Sequence, residues 1–144
     1  MLWQNSPSII VGKHQNTLAE INYGFVKENN IPVVRRISGG GAVFHDLGNL
    51  NFTFISKGEK EKLVDFKKFT QPIVEVLNQM GVAARFEGKN DLRVNGLKIS
   101  GNAEHVFKNK ILHHGTLLFS ANLDFLKNAI KSNYSNTSIH PDTF

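Results

Sequence analysis

Apolar residues along this chain switch between strand spacing and helix spacing, and each switch marks an element. Ser8–Val11 is a short apolar run that predicts a buried strand. Thr17–Asn30 carries Leu18, Ile21, Phe25 and Val26 at helical spacing, which predicts one helix with Thr17 as its N-cap. Ile31–Ile37 is rich in β-branched residues and predicts a strand running into Ser38-Gly39-Gly40-Gly41. Asn49–Ser56 alternates, with Leu50, Phe52 and Phe54 on one face and Asn51 and Thr53 on the other, so a half-buried strand is predicted. Lys60–Met80 places Leu63, Phe66, Phe69, Ile73, Val76, Leu77 and Met80 on a helical stripe, with Gly81 suited to the position after the helix. Pro72 lies inside that stripe and predicts a kink or a restart. Val82–Phe86 predicts a strand. Asn95-Gly96, between Asp91–Val94 and Leu97–Val106, predicts a hairpin closed by a type I′ turn. Lys108-Asn109 predicts a second tight turn before a strand over Lys110–Phe119, and Asn122–Ile130 predicts a short helix.

Hairpins impose antiparallel pairing. The predicted class is therefore α+β or mixed α/β, not a regular doubly wound sheet. The 144 residues fit one domain, over residues 1–131, followed by a polar tail, Ser132–Phe144, without a core pattern. No stretch reaches the roughly 18 apolar residues that would span a membrane. The segment Met1–Pro7 lacks the basic and apolar regions of a secretory signal, so a cytosolic protein is expected. The net charge of +5 and pI of about 9.6 suit an anionic partner such as nucleic acid, nucleotide phosphates or an acidic protein. The lysines are scattered, however, and the mixed-sign run Lys57–Lys68 reads as a solvated helix face. The chain contains no Cys, which removes disulfides, thiolate metal sites and any cysteine nucleophile.

Three segments carry residue types suited to chemistry. In Arg35-Arg36-Ile37-Ser38-Gly39-Gly40-Gly41-Ala42-Val43-Phe44-His45-Asp46, three glycines permit a tight turn or close approach of a ligand. Successive amide N–H groups there can cradle an anion, and two arginines add forked positive donors. A plain Gly-rich turn between strands explains the same residues. The spacing matches neither a Walker A loop nor a dinucleotide fingerprint. In Asn90-Asp91-Leu92-Arg93-Val94-Asn95-Gly96-Leu97-Lys98-Ile99-Ser100-Gly101-Asn102-Ala103, strand alternation puts Lys98 and Ser100 on one face and Leu97 and Ile99 on the other. That sets an ammonium beside a patch of small residues, or leaves it as a solvent-facing hairpin lysine. Asp91 is a candidate ligand for a hard cation such as Mg²⁺, or a turn cap. In His113-His114-Gly115-Thr116-Leu117-Leu118 the adjacent histidines point to opposite faces, so one of them is structural. The six His show no zinc-ligand spacing.

Taken together, Ser8 through Asn16, Arg35 through Asn49, Asn90 through Ala103 and His113 through Leu118 resemble the lipoate–protein ligase family. The resemblance covers Leu2 to about Ile130, and its Arg-Arg-x-Ser-Gly-Gly-Gly-Ala-Val-x-His-Asp-x-Gly-Asn motif is specific. It implies the biotin and lipoate ligase catalytic fold: a mixed, largely antiparallel sheet flanked by helices, related to class II aminoacyl-tRNA synthetase cores. It implies activation of lipoate by ATP, with Mg²⁺, to lipoyl-AMP, and transfer to a lysine of a lipoyl domain. The acceptors implied are lipoyl domains of 2-oxoacid dehydrogenase complexes and the glycine cleavage H protein, with no nucleic acid and no membrane.

By the same resemblance, Lys98 holds the acyl carbonyl and the phosphate as the catalytic residue. Arg36, Gly41, Ala42, Val43, Phe44 and Lys98 contact the nucleotide. Ser38, Gly39, Gly40, His45, Lys98 and His114 line the lipoate pocket, and Asn90 and Asp91 lie near the metal. A lipoyl or octanoyl transferase of the same superfamily usually works through a cysteine, which this chain lacks. A biotin ligase carries an Arg-rich loop where Ser38–Gly41 stands. A non-catalytic module or inactive ligase fragment is the alternative of another class. Against the family pattern the chain is expected to be truncated at both ends, with Ser135–Phe144 outside the resemblance.

Overall fold

Two tight turns decide how the second half of the chain folds. Asn95 and Gly96 take φ of 50° and 80°, and Lys108 and Asn109 take 45° and 58°. Positive φ at both central residues is the type I′ geometry, whose twist matches that of the strands it joins. Val94 therefore faces Leu97, and Phe107 faces Lys110.

The computed structural model describes residues 1–58 and 64–131. In chain order its elements are β1 (Leu2–Trp3), β2 (Ser8–Val11), α1 (Thr17–Glu20), α2 (Tyr23–Glu28), β3 (Val33–Arg35), β4 (Val43–His45), β5 (Asn49–Lys57), α3 (Phe66–Gln79), β6 (Ala84–Glu87), β7 (Asp91–Val94), β8 (Leu97–Phe107), β9 (Lys110–Leu118) and α4 (Leu123–Ala129). They form two units. One comprises Met1–Trp3 and Asn49–Phe119, the other Gln4–Gly48 with the described part of Ser120–Phe144. The first holds a six-stranded sheet in the order β1-β5-β9-β8-β7-β6, antiparallel throughout. The second holds a three-stranded sheet, β3-β2-β4, with β2 parallel to β3 and antiparallel to β4. The mixed, largely antiparallel architecture expected from the hairpins is the one observed.

In the smaller-sheet unit, Ile9, Val11, Ile21, Val26, Ile31, Phe44 and Ala129 make the core, with Phe25 packed edge-on against Phe125 at 5.4 Å between ring centres. The single helix predicted over Thr17–Asn30 is instead two short helices. Ile21 between them is extended, buried and bridged to Ile130. Asn22 then caps the second helix, its side chain accepting from Phe25 N. Thr17 is not the cap; its hydroxyl accepts from Arg35 Nη2 at 2.8 Å. Burying Ile21 by strand pairing outweighs the continuity of the helical stripe.

In the larger-sheet unit, α3 lays Ile73, Val74 and Leu77 on Ala84, Leu92 and Ile99. Asp65 caps it by accepting from Lys68 N, and Gly81, at φ 84°, follows its end. The part of the predicted stretch over residues 60–63 lies outside the described residues. Pro72 neither ends nor restarts the helix. The packed residues on either side of it hold the helix together against a local cost of about 3 kcal/mol. In β5 the polar face is not a solvent face: Asn49, Asn51 and Thr53 are buried along with Phe52.

The faces of the large sheet follow from its register. Phe52, Phe54, Leu92, Ser100, Asn102 and His113 lie toward α3, where the His113 ring stacks on Phe69 at 5.0 Å. Asn51, Thr53, Asp91, Gly101 and His114 lie on the opposite face. As expected of adjacent strand residues, one histidine is structural. His113 is fully buried among Phe52, Phe54, Phe66 and Phe69, with Nδ1 2.9 Å from Glu104 Oε1 and Nε2 3.3 Å from Asn102 Oδ1.

That environment buries His113 and Glu104 as a hydrogen-bonded pair. Asn102 donates from Nδ2 to Asn90 O and Ser100 Oγ, so its Oδ1 accepts and His113 Nε2 carries a hydrogen. Burial lowers the His113 pKa to about 4 and raises that of Glu104. The raised carboxyl contributes most below its ordinary 4.5 and loses that contribution as pH rises. The lowered imidazole contributes most above its ordinary 6.5 and loses that contribution as pH falls toward about 4. As pH rises from 4.5, the carboxyl's decline therefore runs against the imidazole's gain. Glu104→Gln keeps an N–H donor for Nδ1 but has no proton to lose. As pH rises above 4.5 it is expected to lose less stability in urea unfolding than the parent chain, by at most about 1.4 kcal/mol per pH unit. Equal slopes for both proteins would show that burial does not raise the Glu104 carboxyl.

Candidate active site

The glycine loop owes its shape to the two arginines before it. Arg36 donates from Nε and Nη2 to Gly39 O, from Nη2 to Gly41 O at 2.7 Å, and from Nη1 to Ile10 O at 3.1 Å. Burial lowers its pKa, but a guanidinium stays charged. A trans peptide points its N–H opposite to its C=O. Turning the carbonyls of Gly39 and Gly41 toward Arg36 therefore turns the N–H groups of Gly40 and Ala42 away from it. That is the geometry of an anion cradle made by backbone. Arg35 holds the preceding loop by donating to Gly12 O, Lys13 O, Gln15 O and Thr17 Oγ1.

The three glycines are not equivalent. Gly40 has φ of 99°, and a Cβ there would stand 2.8 Å from Arg36 Nη2. A Cβ on Gly12 would run into the Gly40 carbonyl, while Gly39 and Gly41 have nothing within 4 Å. After the loop, β4 is an edge strand of its sheet, which leaves one side of the Val43–His45 backbone unpaired in that sheet. Phe44 points into the core beside Phe125, and Ala42 packs against the same core. Ser38 and His45 are buried, with His45 Nδ1 2.9 Å from Asn5 Nδ2. Asp46 is structural, accepting from Gly48 N and Asn122 N.

In the other unit, Lys98 Nζ lies 2.8 Å from Asp91 Oδ1, with 52% of its side chain exposed against 17% for Asp91. Its Nζ and Cε sit about where a side chain on Gly101 would touch them, so the missing Cβ leaves space beside the ammonium. Arg93 Nη2 approaches the second Asp91 oxygen at 3.4 Å. The expectation that Lys98 shares a face with Ser100 is overturned. Leu92 pairs with Ser100 but Arg93 pairs with Lys98, so Ile99 is an extra residue, and this bulge turns Lys98 to the face opposite Ser100. Asn90 gives its main-chain carbonyl and its amide nitrogen to Asn102, which is a structural role. His114, paired with Thr53 and Ala103, lies on the same face as Asp91 and Gly101.

The structure thus brings Lys98, Asp91 and Gly101 together in one unit, and Arg36 with Gly39, Gly40 and Gly41 in the other. Among the described residues no three His, Asp or Glu side chains converge on a metal position. Both Asp91 oxygens face cations. Such a carboxylate fits a Mg²⁺ arriving with phosphates that fill most of its shell, not an ion caged by protein alone. Reading the sequence missed Asn102, Gly12 and Gly115. Each matters through a partner distant in sequence, and the only local sign was a small residue inside a strand or at its end.

A family model for the lipoyl protein ligase A/B catalytic domain matches residues 1–143. The chain belongs to this family. The match runs past Ile130, about where the resemblance had been expected to stop, and into Ser135–Phe144, which had been expected to lie outside it. Lipoate-protein ligase LplJ of Bacillus subtilis is 53% identical over 131 residues, which is 91% of this chain and 40% of that protein. Among solved structures, P. falciparum LipL1 in complex with lipoate superposes with a TM-score of 0.82 at 39% identity, over 90% of this chain and 38% of its own. A bi-partite lipoate protein ligase with its E2 lipoyl domain from Thermoplasma acidophilum gives 0.85 at 31%, over 93% and 54%. A lipoate-protein ligase A bound with ATP gives 0.85 at 30%, over 90% and 57%. This ligase-family chain therefore spans about 40% of the length of its curated relative.

The unequal glycines give a stability series. Gly40→Ala is expected to cost about 1–3 kcal/mol, because it forces a side chain into positive φ and onto Arg36. Gly12→Ala is expected to be destabilising as well, because its Cβ meets backbone. Gly39→Ala and Gly41→Ala are expected to stay within about 0.5 kcal/mol. Urea unfolding of the four variants checks the order, and equal losses at Gly39, Gly40 and Gly41 would contradict this loop geometry.

Proposed function

We propose that this chain, with residues 1–131 as catalytic domain, carries the adenylating chemistry of a cytosolic lipoate–protein ligase. The observation that carries the reading is Lys98. It is an exposed ammonium held by Asp91 beside the open space at Gly101. The ligase relatives solved with lipoate and with ATP, and the archaeal lipoylation system of a bi-partite ligase and its E2 lipoyl domain, support it.

The chemical problem is repulsion between two anions. A lipoate carboxylate oxygen must bond to the α-phosphorus of ATP, breaking its bond to the bridging oxygen so that pyrophosphate leaves. Lys98 offsets the charge on both partners and holds the acyl carbonyl against the phosphate. The N–H groups of Gly40 and Ala42 are donors for an anion, and Arg36 serves the nucleotide by bracing that loop. Gly41, Ala42, Val43 and Phe44 lie along the nucleotide through their backbone. Ser38, Gly39, Gly40, His45 and His114 line the acyl pocket. A Mg²⁺ carried on the phosphates would be held by Asp91 and would neutralise charge on the leaving pyrophosphate. In the second step an acceptor lysine amine attacks the acyl carbonyl, AMP leaves and the amine gives up a proton. The acceptors are lipoyl domains of 2-oxoacid dehydrogenase complexes and the glycine cleavage H protein. The chemistry needs neither nucleic acid nor membrane. Among the described residues no helix is long and apolar enough to cross a membrane.

The chain is expected to catalyse lipoate-dependent ATP–pyrophosphate exchange. Lys98→Met is expected to lower the exchange rate by about 10²–10³. Lys98→Arg is expected to fail similarly, because a planar fork does not replace a compact ammonium. Both variants should unfold within about 1 kcal/mol of the parent, the usual worth of an exposed ion pair. Binding of ATP and lipoate without exchange would make the chain a binding module. Full exchange by Lys98→Met would remove Lys98 from the chemistry.

Gly41→Ala, which adds bulk without strain, is expected to weaken ATP binding at least about tenfold by isothermal titration, a loss of about 1.4 kcal/mol. Unchanged affinity would reduce the glycine run to a turn.

A further inference from the structure

Lys98 reaches the Asp91 face only because β8 holds one residue too many, and the structure contains the reason for that surplus. The Asn95-Gly96 turn sets Val94 opposite Leu97 and Arg93 opposite Lys98. Further along, Leu92 stands opposite Ser100, Asp91 opposite Gly101, and Asn90 is joined to Asn102. These two registers differ by one residue, and Ile99 takes up the difference. A regular strand would return Lys98 to the face of Ser100 and Asn102, toward α3 and away from Asp91.

The register at the far end is held by a clasp. Asn90 O accepts from both Asn102 N and Asn102 Nδ2 at 3.0 Å, and Asn90 Nδ2 donates back to Asn102 O. Asn102 is only 4% exposed, and its side chain is fully committed. Its second Nδ2 hydrogen goes to Ser100 Oγ at 3.2 Å, and Oδ1 receives His113 Nε2. His113 is itself wedged among four phenylalanines and tied to Glu104, so Asn102 cannot turn without breaking into the core. Gly115, opposite Asn102 in β9, gives the amide its room, since a Cβ there would overlap Asn102 Oδ1 and the Phe52 ring.

We propose that Asn102 is a positioning residue for Lys98: its clasp on Asn90, working against the Asn95-Gly96 turn, forces the bulge that presents the Lys98 ammonium to Asp91. The proposal rests on the reading of Lys98 given above, but the clasp acts on geometry that exists without any ligand.

The test uses the whole chain and two variants. Asn102→Ala removes the side-chain half of the clasp. Asn90→Ala removes the return bond from the less buried side and serves if Asn102→Ala does not fold. In the parent chain, NMR is expected to show a nuclear Overhauser contact between the Lys98 side-chain methylene next to Nζ and Gly101 Hα, together with cross-strand contacts for Leu92 with Ser100 and Arg93 with Lys98. In the variants the Lys98–Gly101 contact is expected to disappear or weaken strongly while the β8–β9 contacts persist. Lipoate-dependent exchange is expected to fall with it, by up to about a hundredfold, as misplacement by about an ångström can do. A merely structural asparagine would lower the melting temperature and leave the Lys98–Gly101 contact in the folded molecules. Retention of that contact and of the bulged register in a folded variant would overturn the proposal. If the parent chain performs no exchange at all, the ligase reading falls alone, and the NMR comparison still decides the role of Asn102.

Discussion

Asn102 lies in the large sheet with each polar atom of its side chain in a hydrogen bond, and those bonds run in three directions. They go to Asn90 just before β7, to Ser100 beside the bulge, and to His113 in the aromatic core. A buried amide left half-satisfied costs about 1–3 kcal/mol, so the strands and the core adopt the one arrangement that serves all three. The register of the β7–β8 hairpin, the place of the bulge and the face on which Lys98 emerges depend on that arrangement. A polar group buried for structural reasons thus governs the position of a polar group exposed for chemical ones.

The smaller-sheet unit uses the same physics with a charge in place of an amide. Arg36 spends its donors on the carbonyls of Gly39, Gly41 and Ile10. The cation does not need to reach a ligand to influence it. By collecting carbonyl oxygens on one side, it turns amide hydrogens to the other, and it keeps Gly40 at a φ that only glycine adopts freely. Both units therefore hold a backbone-level device behind a set of candidate ligand-facing groups. Under the function proposed above, two anionic substrates require positive potential held rigidly.

Several residues that the family resemblance named have contacts within the chain that a list of ligand contacts does not show. Arg36 is a brace whose partners are main-chain oxygens. Asn90 is a strand clamp. Asp91 balances two cations and is not part of a preformed metal cage. Of the two adjacent histidines, His113 is sealed in the core with Glu104, and His114 shares a face with Asp91.

Much of the fold was legible in the sequence because the signals act over a few residues. The Asn95-Gly96 and Lys108-Asn109 turns, Gly81 after α3 and the alternation of β5 are local preferences of backbone and side chain. They suffice to predict antiparallel hairpins and the segments that carry Lys98 and the glycine loop. Where the sequence reading went astray, the deciding partner was distant. Ile21 leaves its helix for Ile130, and Pro72 is carried by packing on the sheet. Lys98 changes face because Asn102 and the turn set registers one residue apart. Local sequence determines what each segment prefers. Burial and the satisfaction of buried polar groups, which exist only once distant segments meet, decided which preference each segment gives up.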